Sequence, residues 1–150
     1  MSTPKFSLQN VLDLRHGKVE LLEIELGKLQ AIHQETKNLR TSLEQYQASL
    51  LNQLSEAQTG EIDLVKLNLL RLNVLQTNKH IELVIVELKK QSIEIDNKRF
   101  QLVEAKQSEE TLEILKRKRH EIYMAEQIQI EAHAQDDIYI ARAFRNQQGA

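Results

Sequence analysis

Four consecutive bases stand out among the residues of this sequence that could carry chemistry: Lys116, Arg117, Lys118 and Arg119, which His120 extends. The chain as a whole has a formal net charge of -2. A run of bases binds nucleic acid, anionic lipid or an acidic protein surface, or is simply solvated. On a helix these side chains point around the full circumference, and few aromatic residues lie between them. We therefore interpret the run as a protein-docking band rather than a nucleic-acid groove or a plain solvated face.

Acidic residues lie on both sides of the basic run. Those before it are Glu109, Glu110 and Glu113, and those after it are Glu121, Glu126, Glu131, Asp136 and Asp137. This stretch of the chain is therefore bipolar, with a band of one sign next to a band of the other. Complementary charge of this kind fixes the register between a protein and its partner.

The remaining polar residues are too scattered to form a catalytic or metal site. Five histidines are spread along the chain, no two of them at positions i and i+4, and there is no cysteine. We find no glycine-rich nucleotide-binding loop, no zinc motif and no calcium loop. The many carboxylates are typical of solvated helix faces. We therefore predict a protein that is not an enzyme, with no catalytic residue, no metal and no cofactor.

Long helices must position these residues. Aromatic residues are 4% of the sequence and charged residues 28%, which is typical of long helices or coiled coils. Apolar residues recur every three or four positions from Leu8 to Ala57, and Gly60 then marks a turn. A second apolar stripe runs at intervals of seven from Leu67 to Leu102. The pattern predicts an all-α fold, a long two-helix antiparallel coiled-coil hairpin whose C-terminal helix is the longer one.

The apolar stripes also predict the boundaries of these helices. We expect residues 1–150 to form a single helical-hairpin domain, with helix 1 at about 7–57, a turn at about 58–61 and helix 2 at about 62–146. Ser7 is the expected N-cap of helix 1. Counting outward from Gly60, the first arm ends opposite about residue 110, so the basic run is expected to project past its partner helix. No window approaches the roughly 18 uncharged apolar residues of a membrane span.

The two ends of the chain resemble a known family. The stretch KFSLQNVLDLRHGKVELLEIELGKL is similar to the N-terminal signature of the FliJ flagellar export proteins. The stretch from FQLVEAKQ to IYIARAF resembles the second signature of the same family, although it closes with Asp-Asp where the family often has Asp-Glu. The matching positions are Phe6, Leu8, Leu12, Arg15, Leu43, Tyr46, Leu102, Ala105, Leu112, Glu113, Leu115, Lys116, Asp136, Asp137 and Ala141.

The resemblance implies a cytoplasmic stalk and chaperone protein of a flagellar (type III) export apparatus. It implies insertion into a hexameric export ATPase, contact with the membrane export gate, and export chaperones as further partners. The protein is then peripheral to the inner membrane through its partners and binds no nucleic acid. The expected ATPase-binding residues are Phe6, Leu8, Arg15, Lys116, Arg117, Lys118 and Arg119. The expected gate-binding residues are Leu39, Leu43, Tyr46 and Leu50.

Two other functions fit the same pattern of residues. A generic cytoplasmic coiled-coil scaffold, or a subunit like the central stalk of rotary ATPases, would show the same stripes and the same solvated faces. A nucleic-acid binder would use the four bases, and its affinity would fall steeply with salt because phosphate contacts release counterions.

Overall fold

The computed structural model of the chain describes residues 5–149, and it confirms the all-α hairpin. Helix α1 spans Gln9–Ala57 and helix α2 spans Leu64–Gln148, and the two pack against each other. No strand occurs among the described residues. The second helix is the longer one, with 85 residues against 49.

Local hydrogen bonds set where each helix begins. The Asp63 carboxylate caps α2, because its Oδ1 accepts hydrogen bonds from the backbone N–H groups of Val65 and Lys66 at 3.1 and 3.4 Å. Helix α1 begins after a turn in which the backbone N–H of Gln9 donates to the Phe6 carbonyl at 3.0 Å. The Ser7 hydroxyl accepts a hydrogen bond from Arg119 at 2.9 Å. The Ser7 hydroxyl therefore engages α2, although Ser7 lies only two residues before the start of α1, the helix that it was expected to cap.

Residues 58–63 connect the two helices, and Gly60 lies within this connection. Its φ is 76°, which is in the left-handed region of the backbone. Glycine adopts this region at little cost because it has no Cβ atom. Just before it, the N–H and hydroxyl groups of Thr59 donate to the Glu56 carbonyl at 3.2 and 2.8 Å, which closes the last turn of α1.

The chain divides into two compact units, each made of facing segments of both helices. The central unit is Lys18–Glu104, and the terminal unit comprises residues 5–17 and 105–149. Each unit pairs an earlier segment of the chain with a later one that runs in the opposite direction. That the chain is a single domain stays a prediction.

A narrow apolar seam holds the central unit together. Its buried apolar residues are Val19, Leu22, Leu50, Leu67, Leu70, Ile81, Val84 and Ile95. Polar pairs interrupt the seam: the Gln91 Nε2 donates to the Thr36 Oγ1 at 2.9 Å, and the Gln91 Oε1 lies 3.0 Å from the His33 Nδ1. The Lys98 ammonium pairs with the Glu25 carboxylate at 2.8 Å. Thr77 and Gln91 are themselves buried, so polar side chains form part of the seam between the arms.

Residues that face each other in the central unit are not at equal sequence distances from Gly60. The Gln47 side chain donates a hydrogen bond to Asn78, and Gln47 is closer to Gly60 in sequence than Asn78 is. The physical reason is the connection, which extends to Asp63 before α2 begins. The arms therefore pair about a centre that lies after Gly60.

The terminal unit corrects the expectation that the first arm ends opposite about residue 110 and leaves the basic run beyond it. Its buried apolar residues are Leu12, Ala105 and Leu112. The Arg15 guanidinium donates to the Ser108 carbonyl at 2.7 Å, and the His16 ring nitrogen lies 2.9 Å from the Glu109 carboxylate. Pairing then continues to Arg119, which contacts Ser7. The expectation was wrong because residues 5–8, although not helical, also pack on α2.

We predict that Gly60→Ala destabilises the fold by about 1 kcal/mol, because an L-residue in the left-handed region is strained. A Cβ atom at Gly60 would meet no atom within 4 Å, so backbone strain is the only cost. Urea unfolding followed by circular dichroism measures this difference.

Gly27→Ala is the matched control for this change. Gly27 lies inside α1, and a Cβ atom there also meets nothing within 4 Å. Alanine is the better helix former, so this variant should gain roughly 0.5–1 kcal/mol. Equal stability of the two variants would contradict the assigned role of Gly60.

Candidate protein-binding site

A cationic cleft lies in the terminal unit, where the start of the chain meets the basic run of α2. Its volume is about 410 Å³. The residues that line it are Lys5, Phe6, Ser7, Lys116, Arg117, Arg119 and His120. Phe6 supplies an apolar wall, and most of the remaining lining is positively charged or titratable. The cleft therefore suits a partner segment that presents carboxylates beside an apolar side chain.

Arg119 joins the two sides of this cleft. Its guanidinium carbon lies 5.5 Å from the centroid of the Phe6 ring, which is a cation–π contact. Its Nη1 also donates to the Ser7 hydroxyl at 2.9 Å. Arg119 therefore holds the non-helical residues 5–8 against α2. Lys116 and Arg117 are exposed beside Arg119 in the lining of the same cleft, and Lys118 is exposed outside it.

The structure brings all seven predicted ATPase-binding residues into the terminal unit. Phe6, Lys116, Arg117 and Arg119 line the cleft, whereas Lys118 is exposed outside its lining. Leu8 and Arg15 are half-buried, and Arg15 is held by the Ser108 carbonyl.

Sequence reasoning missed three residues that also line the cleft: Lys5, Ser7 and His120. Each is a sequence neighbour of a predicted residue. Their position next to predicted residues could have identified them, because sequence neighbours of a binding residue lie close to it in space.

The four predicted gate-binding residues separate into an exposed and a buried part. Leu39 and Tyr46 are exposed at 43% and 51%, and Leu43 is half-buried. Leu50 is only 2% exposed, so its side chain belongs to the packing between the arms of the central unit. Ile32, 50% exposed, continues the exposed row at the same interval of seven residues. The surface open to a partner therefore comprises Ile32, Leu39 and Tyr46.

Neither a metal cluster nor a membrane-spanning helix occurs within residues 5–149. No group of three or more His, Asp or Glu side chains in this part of the chain is arranged to hold a metal ion. None of the helical residues described forms a run long and apolar enough to cross a membrane.

Comparison with protein families and known structures gives one match. The family described as "Flagellar FliJ protein" matches residues 4–149, which includes the cleft, the row of Ile32, Leu39 and Tyr46, and the whole of both helices. No curated protein and no solved structure matches the chain.

The different burial of Leu50 and Tyr46 predicts different effects on stability. Leu50→Ala should lower the free energy of unfolding by about 2–5 kcal/mol, because it leaves a cavity in the seam. Tyr46→Ala should lower it by less than about 1 kcal/mol, because half of that side chain is already in water. Urea unfolding distinguishes the two variants, provided that the dependence of the unfolding free energy on urea concentration is the same for both. Similar losses for both would show that Tyr46 also belongs to the seam.

Proposed function

We propose a stalk function for this chain, which belongs to the FliJ family of non-catalytic flagellar proteins and is related to flagellar export. In this proposal the terminal unit enters the centre of a hexameric export ATPase. The central unit contacts the membrane export gate, and export chaperones are further partners. The protein works in the cytoplasm, peripheral to the inner membrane through these partners.

The contact of Arg119 with Phe6 and Ser7 is the observation that supports this proposal most directly. Residues near both ends of the chain, each of which resembles a family signature, meet at one cleft. A single partner surface then reaches both signatures at once. This arrangement explains why two stretches so far apart in sequence would serve the same partner.

The distribution of charge around α2 fits a helix surrounded by its partner. Lys116, Arg117 and Lys118 point to different sides of one helical turn, so together they present charge around most of the circumference. A ring of subunits contacts a central rod from all sides, and a one-sided patch would serve only one subunit. Each exposed contact is worth about 0.2–1 kcal/mol, so three give at most about 3 kcal/mol. Because 1.4 kcal/mol is a tenfold change in affinity, this is enough to control occupancy.

The exposed row on α1 supports a second contact in the central unit. Ile32, Leu39 and Tyr46 present a phenol ring and two aliphatic side chains to solvent along one face. Aromatic residues exposed on a helix face often anchor a partner, because they bury a large area at a small cost in side-chain entropy. We assign the gate contact to this row, with Leu43 at its edge and Leu50 beneath it.

Charge reversal in the basic run should abolish stimulation of the export ATPase. Lys116→Glu combined with Lys118→Glu replaces two attractive contacts with repulsive ones and leaves the contacts of Arg119 in place. We expect the rate of ATP hydrolysis by the ATPase to fall to the value measured without this protein. The assay compares the rates at matched ionic strength.

Lys89→Glu combined with Lys90→Glu is the matched control, since it makes the same change of charge on exposed residues of the same helix in the central unit. This control should stimulate normally. The variant at Lys116 and Lys118 should keep its helicity by circular dichroism. If it then stimulates the ATPase normally, the basic run is a solvated helix face and does not bind the ATPase.

The gate contact should depend on Tyr46. Tyr46→Ala should weaken binding to the isolated cytoplasmic part of the gate by roughly tenfold or more, the effect of losing an aromatic anchor. Leu51→Ala is the control, because Leu51 is 47% exposed on a different side of α1. Calorimetry measures both affinities. If both variants bind like the unchanged protein, the gate contact does not lie on this row.

A further inference from the structure

The central unit contains a cleft that plays no part in the proposed stalk function. Its volume is about 530 Å³. Residues of both helices line it, among them His33, Lys37, Arg40, Ile85, Leu88 and Lys89. Lys37, in the cleft, and Leu39, in the exposed row of α1, lie on opposite sides of the seam residue Thr36. The cleft is therefore separate from the row to which we assign the gate contact.

The seam contains little apolar surface of α1 where the cleft lies. Residues 23–49, all of which the structure describes, include no buried apolar side chain. Polar contacts take their place, and the buried Gln91 donates through its Nε2 to the Thr36 Oγ1 at 2.9 Å. Ile85 and Leu88 of α2 are only half-buried beneath this part of α1. A further segment laid in the cleft would cover apolar surface that the two helices leave in water.

The lining of the cleft is positively charged, although the chain as a whole has a formal net charge of -2. Three bases line it, Lys37, Arg40 and Lys89, against one acid, Glu44. The Glu44 carboxylate already pairs with the Arg40 Nε at 2.9 Å. Within residues 5–149, the ammonium groups of Lys37 and Lys89 have no ion-pair or hydrogen-bond partner. Both therefore remain available for the carboxylates of a partner.

We propose that this cleft binds an acidic amphipathic helix of another protein. The lining residues of α1 fall within 33–44, which is about 16 Å along the helix axis, or three turns. A groove of this length between two helices receives a third helix, whose apolar side chains at intervals of three and four pack into it. They pack here on Ile85 and Leu88, and the carboxylates beside them pair with Lys37 and Lys89.

Binding of a designed peptide to the full chain tests the chemistry of the occupant. The probe is a dye-labelled helical peptide of about 18 residues, five turns, with leucine at intervals of three and four and glutamate beside each leucine. Fluorescence anisotropy should show saturable binding that weakens as salt screens the ion pairs. In two reference peptides, glutamine replaces leucine, which keeps the helix propensity, or lysine replaces glutamate. Each should bind about tenfold more weakly, or less, than the probe. Absence of binding, or equal binding of the glutamine peptide, would overturn the proposal.

Charge reversal tests the position of the contact. Lys37→Glu combined with Lys89→Glu should weaken binding of the probe by about tenfold or more, because two attractive contacts become repulsive. Lys28→Glu combined with Lys90→Glu is the matched control, with one exposed lysine outside the cleft on each helix of the same unit. This control should bind like the unchanged protein, and circular dichroism should show equal helicity for both. Equal weakening by both pairs would mean general attraction between charges and no binding in the cleft.

A dye on the protein gives a second measure of position, because the chain has no cysteine. Ser92→Cys carries the dye in the cleft, and Ser42→Cys carries it on an exposed part of α1 outside the cleft. The unlabelled peptide should shift the emission of the dye at position 92 and leave that at position 42 unchanged. A shift at position 42 alone would place the peptide elsewhere and overturn the proposal.

Sedimentation equilibrium of the full chain alone tests whether the occupant is a second copy, since residues 121–137 carry five acids and no lysine or arginine. We expect no association that depends on the cleft. Self-association that Lys37→Glu combined with Lys89→Glu abolishes would assign the cleft to a second copy and overturn the proposal. ATPase stimulation and gate binding do not use the cleft, so this inference and the stalk function can fail separately.

Discussion

The fold depends on a single kind of contact, the apolar seam where an earlier segment of the chain packs on a later one. A two-helix protein has no third layer, so each helix can bury only one stripe. The seam is correspondingly thin: even Leu50, the most buried of the core residues, retains 2% of its exposure. Polar pairs such as Gln91 with Thr36 lie within it, and a slipped alignment would leave their hydrogen-bonding groups without partners. Apolar burial therefore holds the arms together, while polar groups select how they are aligned.

The seam explains which features could be predicted from the sequence. Periodicity distinguishes a helix from a strand directly. Apolar residues at every third or fourth position lie on one side of a helix, whereas in a strand they would be divided between both faces. The all-α hairpin with a longer second helix followed from that pattern alone. The alignment of the arms did not, because it depends on where α2 is capped. Asp63 looks like one of several polar residues near the turn, and its capping role emerges only from the backbone geometry.

The candidate site was predictable in its composition but less so in its arrangement. The run of four bases can be read from the sequence. Predicting the contact of Arg119 with Phe6 requires the alignment of the two helices and the path of the non-helical residues before α1. Leu50 and Tyr46 show a related limit. Both belong to the same sequence of three- and four-residue intervals, yet one is buried and the other is half in water. A helix with two neighbouring apolar rows does not reveal from spacing alone which row its partner arm covers.

The sequence separation of the contacts also has a kinetic consequence. Gln47 and Asn78 are separated by 31 residues, whereas Ser7 and Arg119 are separated by 112. Closing the longer loop from an unfolded chain costs about 1 kcal/mol more in entropy. Folding should therefore begin near the connection between the helices and proceed from there toward Ser7 and Arg119. The cleft of the terminal unit would close last and open first under thermal fluctuation. The proposed ATPase-binding surface is then the least protected against hydrogen exchange, so a partner bound there would slow exchange most of all.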